Sequence, residues 1–185
     1  MGSYDALKRP AVFLDRDGVI NRVFLRRGTP HPPSTLAELE ILPGVPEALN
    51  ALRACGYSLV VVTNQPDVAR GNASRALVDA IHARLAAALP LDAILCCFHD
   101  SAAACTCRKP QPGLLLQAAR ELDIELSLSF MVGDRWCDVE AGRRAGCRSL
   151  LVDRGDDEAA AAACDFRVGS LPEAARIIMR RSGAA

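Results

Sequence analysis

The chain has 185 residues, with 22 basic and 22 acidic side chains and a formal net charge of zero. That length suits one compact domain, residues 1–185, with room for a small insert, and the balanced charge offers no electrostatic footprint for nucleic acid or an anionic membrane. Met1 to Pro10 lacks an apolar core of signal-peptide length and no run approaches the ~20 residues of a membrane span, so a soluble cytoplasmic protein is expected.

The first predicted strand is Ala11 to Leu14, followed directly by Asp15-Arg16-Asp17-Gly18. Alternate residues of an extended segment point the same way, so Asp15 and Asp17 can face one site, and Gly18 lets the backbone turn without a Cβ clash. One such carboxylate can attack phosphorus while the other protonates the leaving oxygen. Taken alone, the four residues also fit a turn or a calcium-loop fragment. Pro43 to Pro46 opens a helix with Ala48, Leu49 and Leu52 on one face, stopped by Gly56. Ser58 to Val62 is a second strand, and Asn72 or Ser74 caps a helix carrying Leu77, Val78, Ile81 and Leu85. Ala93 to Cys97, Leu128 to Val132 and Ser149 to Val152 are further strands. Helices at Pro112 to Leu122 and Trp136 to Ala145, the latter stopped by Gly146, separate them, and a short helix is expected over Ala159 to Ala163. A strand at Phe166 to Val168 and a helix from Pro172 to Arg181 complete the pattern. Such alternation predicts an α/β fold with a doubly wound parallel sheet and helices on both faces.

Open parallel sheets bind ligands beyond the carboxyl ends of their strands. Collecting the residues there gives Asp15 and Asp17, then Thr63-Asn64-Gln65, then Arg108-Lys109-Pro110, then Gly133-Asp134-Arg135-Trp136-Cys137-Asp138. The Thr63 hydroxyl can hold phosphoryl oxygens, Lys109 can neutralise their charge, and Asp134 can join Asp15 in holding a hard cation such as Mg²⁺.

In this order the four stations resemble the haloacid dehalogenase superfamily of phosphatases, from Val12 to Val152. The resemblance implies Asp15 as nucleophile and Asp17 as general acid/base. It implies Thr63 and Lys109 as phosphoryl stabilisers, with Mg²⁺ on Asp15, Asp134 and the Asp17 carbonyl, and Asp138 in support. Arg16, Asn64, Gln65, Arg108, Arg135, Arg26 and Arg27 are the candidate substrate contacts.

Cys97-Phe98-His99 and Cys105-Thr106-Cys107 place three thiols and an imidazole in one short loop, a set suited to a closed, structural tetrahedral Zn²⁺ site. Unmetallated thiols are the alternative, and Cys96 competes with Cys97 as first ligand. Cys55, Cys137, Cys147 and Cys164 read as packing residues, and His31 and His82 as surface positions. With this loop and no large cap, the chain looks like the branch holding heptose-bisphosphate and histidinol-phosphate phosphatases. The three arginines of Arg22 to Arg27, together with Arg70, favour a small sugar bisphosphate as partner. A catalytically idle interaction module and transfer to an acceptor other than water are the competing readings. An uncapped site on a chain this small can work as a monomer.

Overall fold

A computed structural model describes residues 8–26, 28–153, 155 and 163–181. Arg27, the Arg26 side chain and residues 159–162 of the expected alanine helix lie outside this part.

Six strands form one parallel sheet: β1 (Ala11–Leu14), β4 (Ser58–Asn64), β5 (Ala93–Cys97), β6 (Phe130–Gly133), β7 (Arg148–Val152) and β8 (Phe166–Val168). Their order is β5-β4-β1-β6-β7-β8. The chain builds outward from β1 to β4 and β5, then crosses back to lay β6, β7 and β8 on the other side, so β1 stands at the switch point where a doubly wound sheet opens a crevice. Strand parity sorts the core. Val12 and Leu14 face a cluster formed with α1 (Val45–Ala54), Ile81 and Leu85 of α2 (Arg75–Ala88), and α5 (Leu171–Arg181). Ala11 and Phe13 face the cluster formed with α3 (Gly113–Glu121) and α4 (Trp136–Ala145). Asp15 continues the second parity, toward Lys109 and the Asp138 of α4.

Local chemistry sets the element ends. Ser74 caps α2 by accepting the Leu77 N–H at 3.1 Å, and Gly146 ends α4 in the left-handed region at φ 85°. Two strand boundaries differ from expectation. β4 runs on through Thr63 and Asn64 because these pair with Cys96 and Cys97 of β5. β6 begins only at Phe130: Leu126–Leu128 forms a 3₁₀ turn, and the Ser129 hydroxyl donates to Glu125 O and accepts from Ala11 N, which ends the turn. An antiparallel hairpin, β2 (Phe24–Arg26) with β3 (Thr29–His31), was not expected and stands beside the crevice as the only strand insertion among the described residues. There too, no helix is long and apolar enough to cross a membrane.

Candidate active site

A cavity of about 710 Å³ opens at the carboxyl ends of the central strands. Asp15, Asp17, Thr63 and Lys109 line its floor; Arg70, Arg108 and Arg135 also line it. Thr29, Pro30 and His31 of β3, with the flanking Val23 and Pro32, form one wall.

Lys109 is the buried hub. Its Nζ lies 2.6 Å from Asp15 Oδ1 and 2.6 Å from Asp138 Oδ1, and donates to Val62 O at 2.7 Å. The Asp138 contact is close enough for an ion pair, though not aligned as a hydrogen bond. Burial alone would lower the lysine's basicity, but the carboxylates of Asp138 and Asp15 outweigh it and raise the pKa, so Lys109 is held as an ammonium. For Asp15 the balance goes the other way. Burial, with Asp138 and Asp17 adding to it, outweighs Lys109 and pushes the carboxyl up to about 6. One ammonium therefore serves an excess of negative charge. The carboxylates of Asp15, Asp134 and Asp138 supply oxygens within 4.8 Å of one another, a hard donor set short of positive charge and suited to a divalent cation.

Asn64 clamps the lysine's own backbone: its amide donates to Lys109 O and accepts from Lys109 N, both at 3.0 Å. Expected as a substrate contact, Asn64 is thus tied to the chain that carries Lys109. Gln65 Nε2 spends both hydrogens internally, on Asp17 Oδ2 at 2.7 Å and on Thr63 Oγ1 at 2.9 Å. Asp138 Oδ2 accepts the Arg135 N–H at 3.1 Å, pinning the start of α4 to the hub. Gly133 permits this approach, since a Cβ there would lie 2.1 Å from the Asp138 Cβ.

The second donor cluster lies at the cavity edge. Cys97, His99, Cys105 and Cys107 bring four ligand atoms within 4.8 Å, with Cys97 Sγ 3.2 Å from Cys107 Sγ and 3.8 Å from Cys105 Sγ, and His99 Nδ1 3.3 Å from Cys107 Sγ. A tetrahedral ion with ~2.3 Å thiolate bonds sets its sulfurs ~3.7 Å apart, close to these separations. Cys97, not Cys96, belongs to the cluster. Arg108 Nη1 donates to His99 O at 3.3 Å, and Arg70 Nη2 to Asp100 Oδ1 at 2.6 Å, so the Cys/His loop holds two of the cavity's arginines.

Residues 106–174 match the HAD-hydrolase-like family model. The chain is 38% identical over 167 residues to D-glycero-D-manno-heptose-1,7-bisphosphate 7-phosphatase of Thermosynechococcus vestitus, covering 80% of this chain and 81% of that one. The chain belongs to the haloacid dehalogenase family of phosphatases. The Bordetella bronchiseptica D-glycero-beta-D-manno-heptose-1,7-bisphosphate 7-phosphatase is 35% identical, with 90% of each chain covered. The crystal structure of the D,D-heptose 1,7-bisphosphate phosphatase of B. bronchiseptica, complexed with magnesium and phosphate, superposes with a TM-score of 0.78 at 31% identity, covering 93% of this chain and 99% of that one.

Within this haloacid dehalogenase site several sequence expectations need correction. Arg16 does not line the cavity: its side chain is only 1% exposed, and it is engaged by Asp17 and His82. Expected as a substrate contact, Arg16 instead faces these two side chains. His82, expected at the surface, is half-buried against that arginine, and burial, then Arg16, lowers its pKa to about 4. Cys137 and His31, read as packing and surface residues, line the cavity, as does Trp136. The strand-end rule already pointed at Trp136 and Cys137; His31 depends on a hairpin that no sequence signal announced.

Proposed function

We propose that this chain is a magnesium-dependent phosphatase that hydrolyses the 7-phosphate of D-glycero-D-manno-heptose 1,7-bisphosphate through an aspartyl-phosphate on Asp15. The observation that carries it is the Asp15–Lys109–Asp138 hub at the switch point of the sheet, on a chain whose relatives of comparable length are heptose-bisphosphate phosphatases.

Asp15 is the nucleophile because it lines the cavity floor from the end of β1 with Oδ1 against the Lys109 ammonium, whereas Asp138 reaches that ammonium from α4 and also accepts the Arg135 N–H. Ionising near 6, it is mostly a carboxylate at neutral pH and so able to attack. Lys109 and the Thr63 hydroxyl hold the phosphoryl oxygens. Thr63 already accepts from Gln65, which leaves its own hydrogen to donate. Asp17 protonates the departing sugar oxygen and then takes the proton of the water that attacks the aspartyl-phosphate, releasing phosphate and restoring Asp15. Mg²⁺, held by Asp15, Asp134 and the Asp17 carbonyl, would neutralise the repulsion between the anionic nucleophile and the anionic ester. Asp138 spends its charge on Lys109 and stands behind the ligands.

The cavity volume lies within the usual range for a small-molecule site. Arg70, Arg108 and Arg135 give its rim the cationic character that a second phosphate needs. Zn²⁺ on Cys97, His99, Cys105 and Cys107 would fasten the loop that holds Arg70 and Arg108. The test is phosphate release from the α and β heptose 1,7-bisphosphates, histidinol phosphate and a panel of sugar monophosphates. The heptose substrates should lead by at least ~100-fold in kcat/KM, within the range that a site built around polar partners achieves; preference for histidinol phosphate would overturn the substrate assignment.

A further inference from the structure

Arg16 is among the largest fully buried side chains of the protein and stands between the two aspartates of the catalytic motif without reaching the cavity. Its Nε and Nη2 donate to Asp17 Oδ2 at 3.1 and 2.7 Å. Its Nη1 lies 3.1 Å from His82 Nε2 on α2. Arginine only donates, so Nε2 must accept and the imidazole proton sits on Nδ1. A neutral His82 provides that lone pair, and the lowered pKa agrees. The guanidinium is therefore fixed from behind by α2 and in front by Asp17.

The two oxygens of Asp17 are treated unequally. Oδ2 takes three N–H groups, two from Arg16 and one from Gln65 at 2.7 Å, more than its two lone pairs can serve linearly. Oδ1 takes one, from Asn21 Nδ2 at 2.9 Å. We infer that Arg16, backed by His82 and joined by Gln65, is a positioning residue that saturates Asp17 Oδ2 and so makes Oδ1 the atom that carries the catalytic proton. As the ester P–O bond breaks, the Oδ1 proton passes to the departing alkoxide. When water attacks the aspartyl-phosphate, Oδ1 takes a proton from that water as the Asp15–P bond breaks. Without the clamp, the carboxylate can rotate and present either oxygen, or neither, to the leaving group. The same Gln65 amide reaches Thr63 Oγ1, so the clamp holds the proton carrier and a phosphoryl ligand in one frame.

This inference rests on Asp17 as the general acid, and leaving-group dependence separates the two. The readout is kcat/KM for heptose 1,7-bisphosphate, whose alkoxide must be protonated, divided by that for p-nitrophenyl phosphate, whose phenolate leaves without help. The ratio does not depend on how much of a preparation is folded. Arg16→Met should lower it by about 30-fold or more, general acid catalysis being worth ~10²–10⁴-fold; Arg16→Lys, which keeps the charge but not the fork, should restore part of it. If Arg16→Met yields no folded enzyme, Arg16→Lys must itself show a ratio below wild type. An unchanged ratio in the Arg16 variants, while Asp17→Asn lowers it, overturns the clamp alone. An unchanged ratio in Asp17→Asn overturns the acid assignment and the clamp with it.

Discussion

Replacing the proposed nucleophile should stabilise the metal-free protein. Asp15 is buried beside Asp138 and Asp17 and ionises near 6 rather than 3.8. A carboxyl raised in this way favours the folded state only below its unfolded pKa, and that advantage is lost as pH rises through about 6. At about pH 8 the ionised group costs the fold about 3 kcal/mol, at ~1.4 kcal/mol for each tenfold change in ionisation, and at about pH 4.5 only about 1 kcal/mol. The attraction to Lys109 is already contained in that balance. Asp15→Asn keeps the shape and removes the charge. In a chelator its unfolding free energy should exceed wild type by about 3 kcal/mol at pH 8, or roughly 6–10 °C in Tm for a domain of this size. The gain should shrink to about a third at pH 4.5. Urea and thermal unfolding at both pH values measure it. A variant no more stable than wild type at pH 8, or a gain independent of pH, would refute the claim that the site stores uncompensated negative charge. Adding Mg²⁺ should raise the Tm of wild type more than that of the variant, since binding to the folded state alone stabilises by mass action.

Three further expectations concern the supports of the site. Asn64→Ala removes both hydrogen bonds to the Lys109 backbone and should cost about 1–2 kcal/mol of stability; misplacing the ammonium should lower kcat by ~10–100-fold, read by steady-state kinetics beside urea unfolding. Gly133→Ala would drive a methyl group into Asp138 and should cost about 2–3 kcal/mol, with a loss of turnover that raising Mg²⁺ does not restore. Metal analysis of the purified chain should find one zinc per chain, and Cys107→Ser should lose it and lower Tm; a metal-free wild type with an unchanged Tm would remove the zinc assignment.

The strands ending at Leu14 and Gly133 were legible because each is an apolar run cut off by an acidic motif, and α4 because Gly146 marks its stop. The fold class followed from their alternation with amphipathic helices. The β2–β3 hairpin escaped because three-residue strands holding Arg26 and Pro30 carry neither periodicity nor length. Thr63 looked like a loop residue, since only the partner Cys96 keeps it in β4. The stations of the site were visible as short motifs at strand ends. Their wiring was not. Arg16 reads as a substrate contact until α2, 66 residues later, brings His82 against it. Gln65 and Asn64 read as ligand contacts because sequence cannot show that Thr63, Asp17 and the Lys109 backbone already use their amides.

The central claim is that Asp15 carries the phosphoryl group, and trapping that intermediate tests it most directly. Enzyme turning over heptose 1,7-bisphosphate with Mg²⁺ is quenched in acid and reduced with borohydride, which converts an acyl phosphate to an alcohol and so turns a phosphorylated aspartate into homoserine. Peptide mapping should find homoserine at position 15, dependent on substrate and absent from Asp15→Asn. Homoserine at position 17, or an Asp15→Asn enzyme that keeps its turnover, would contradict the account.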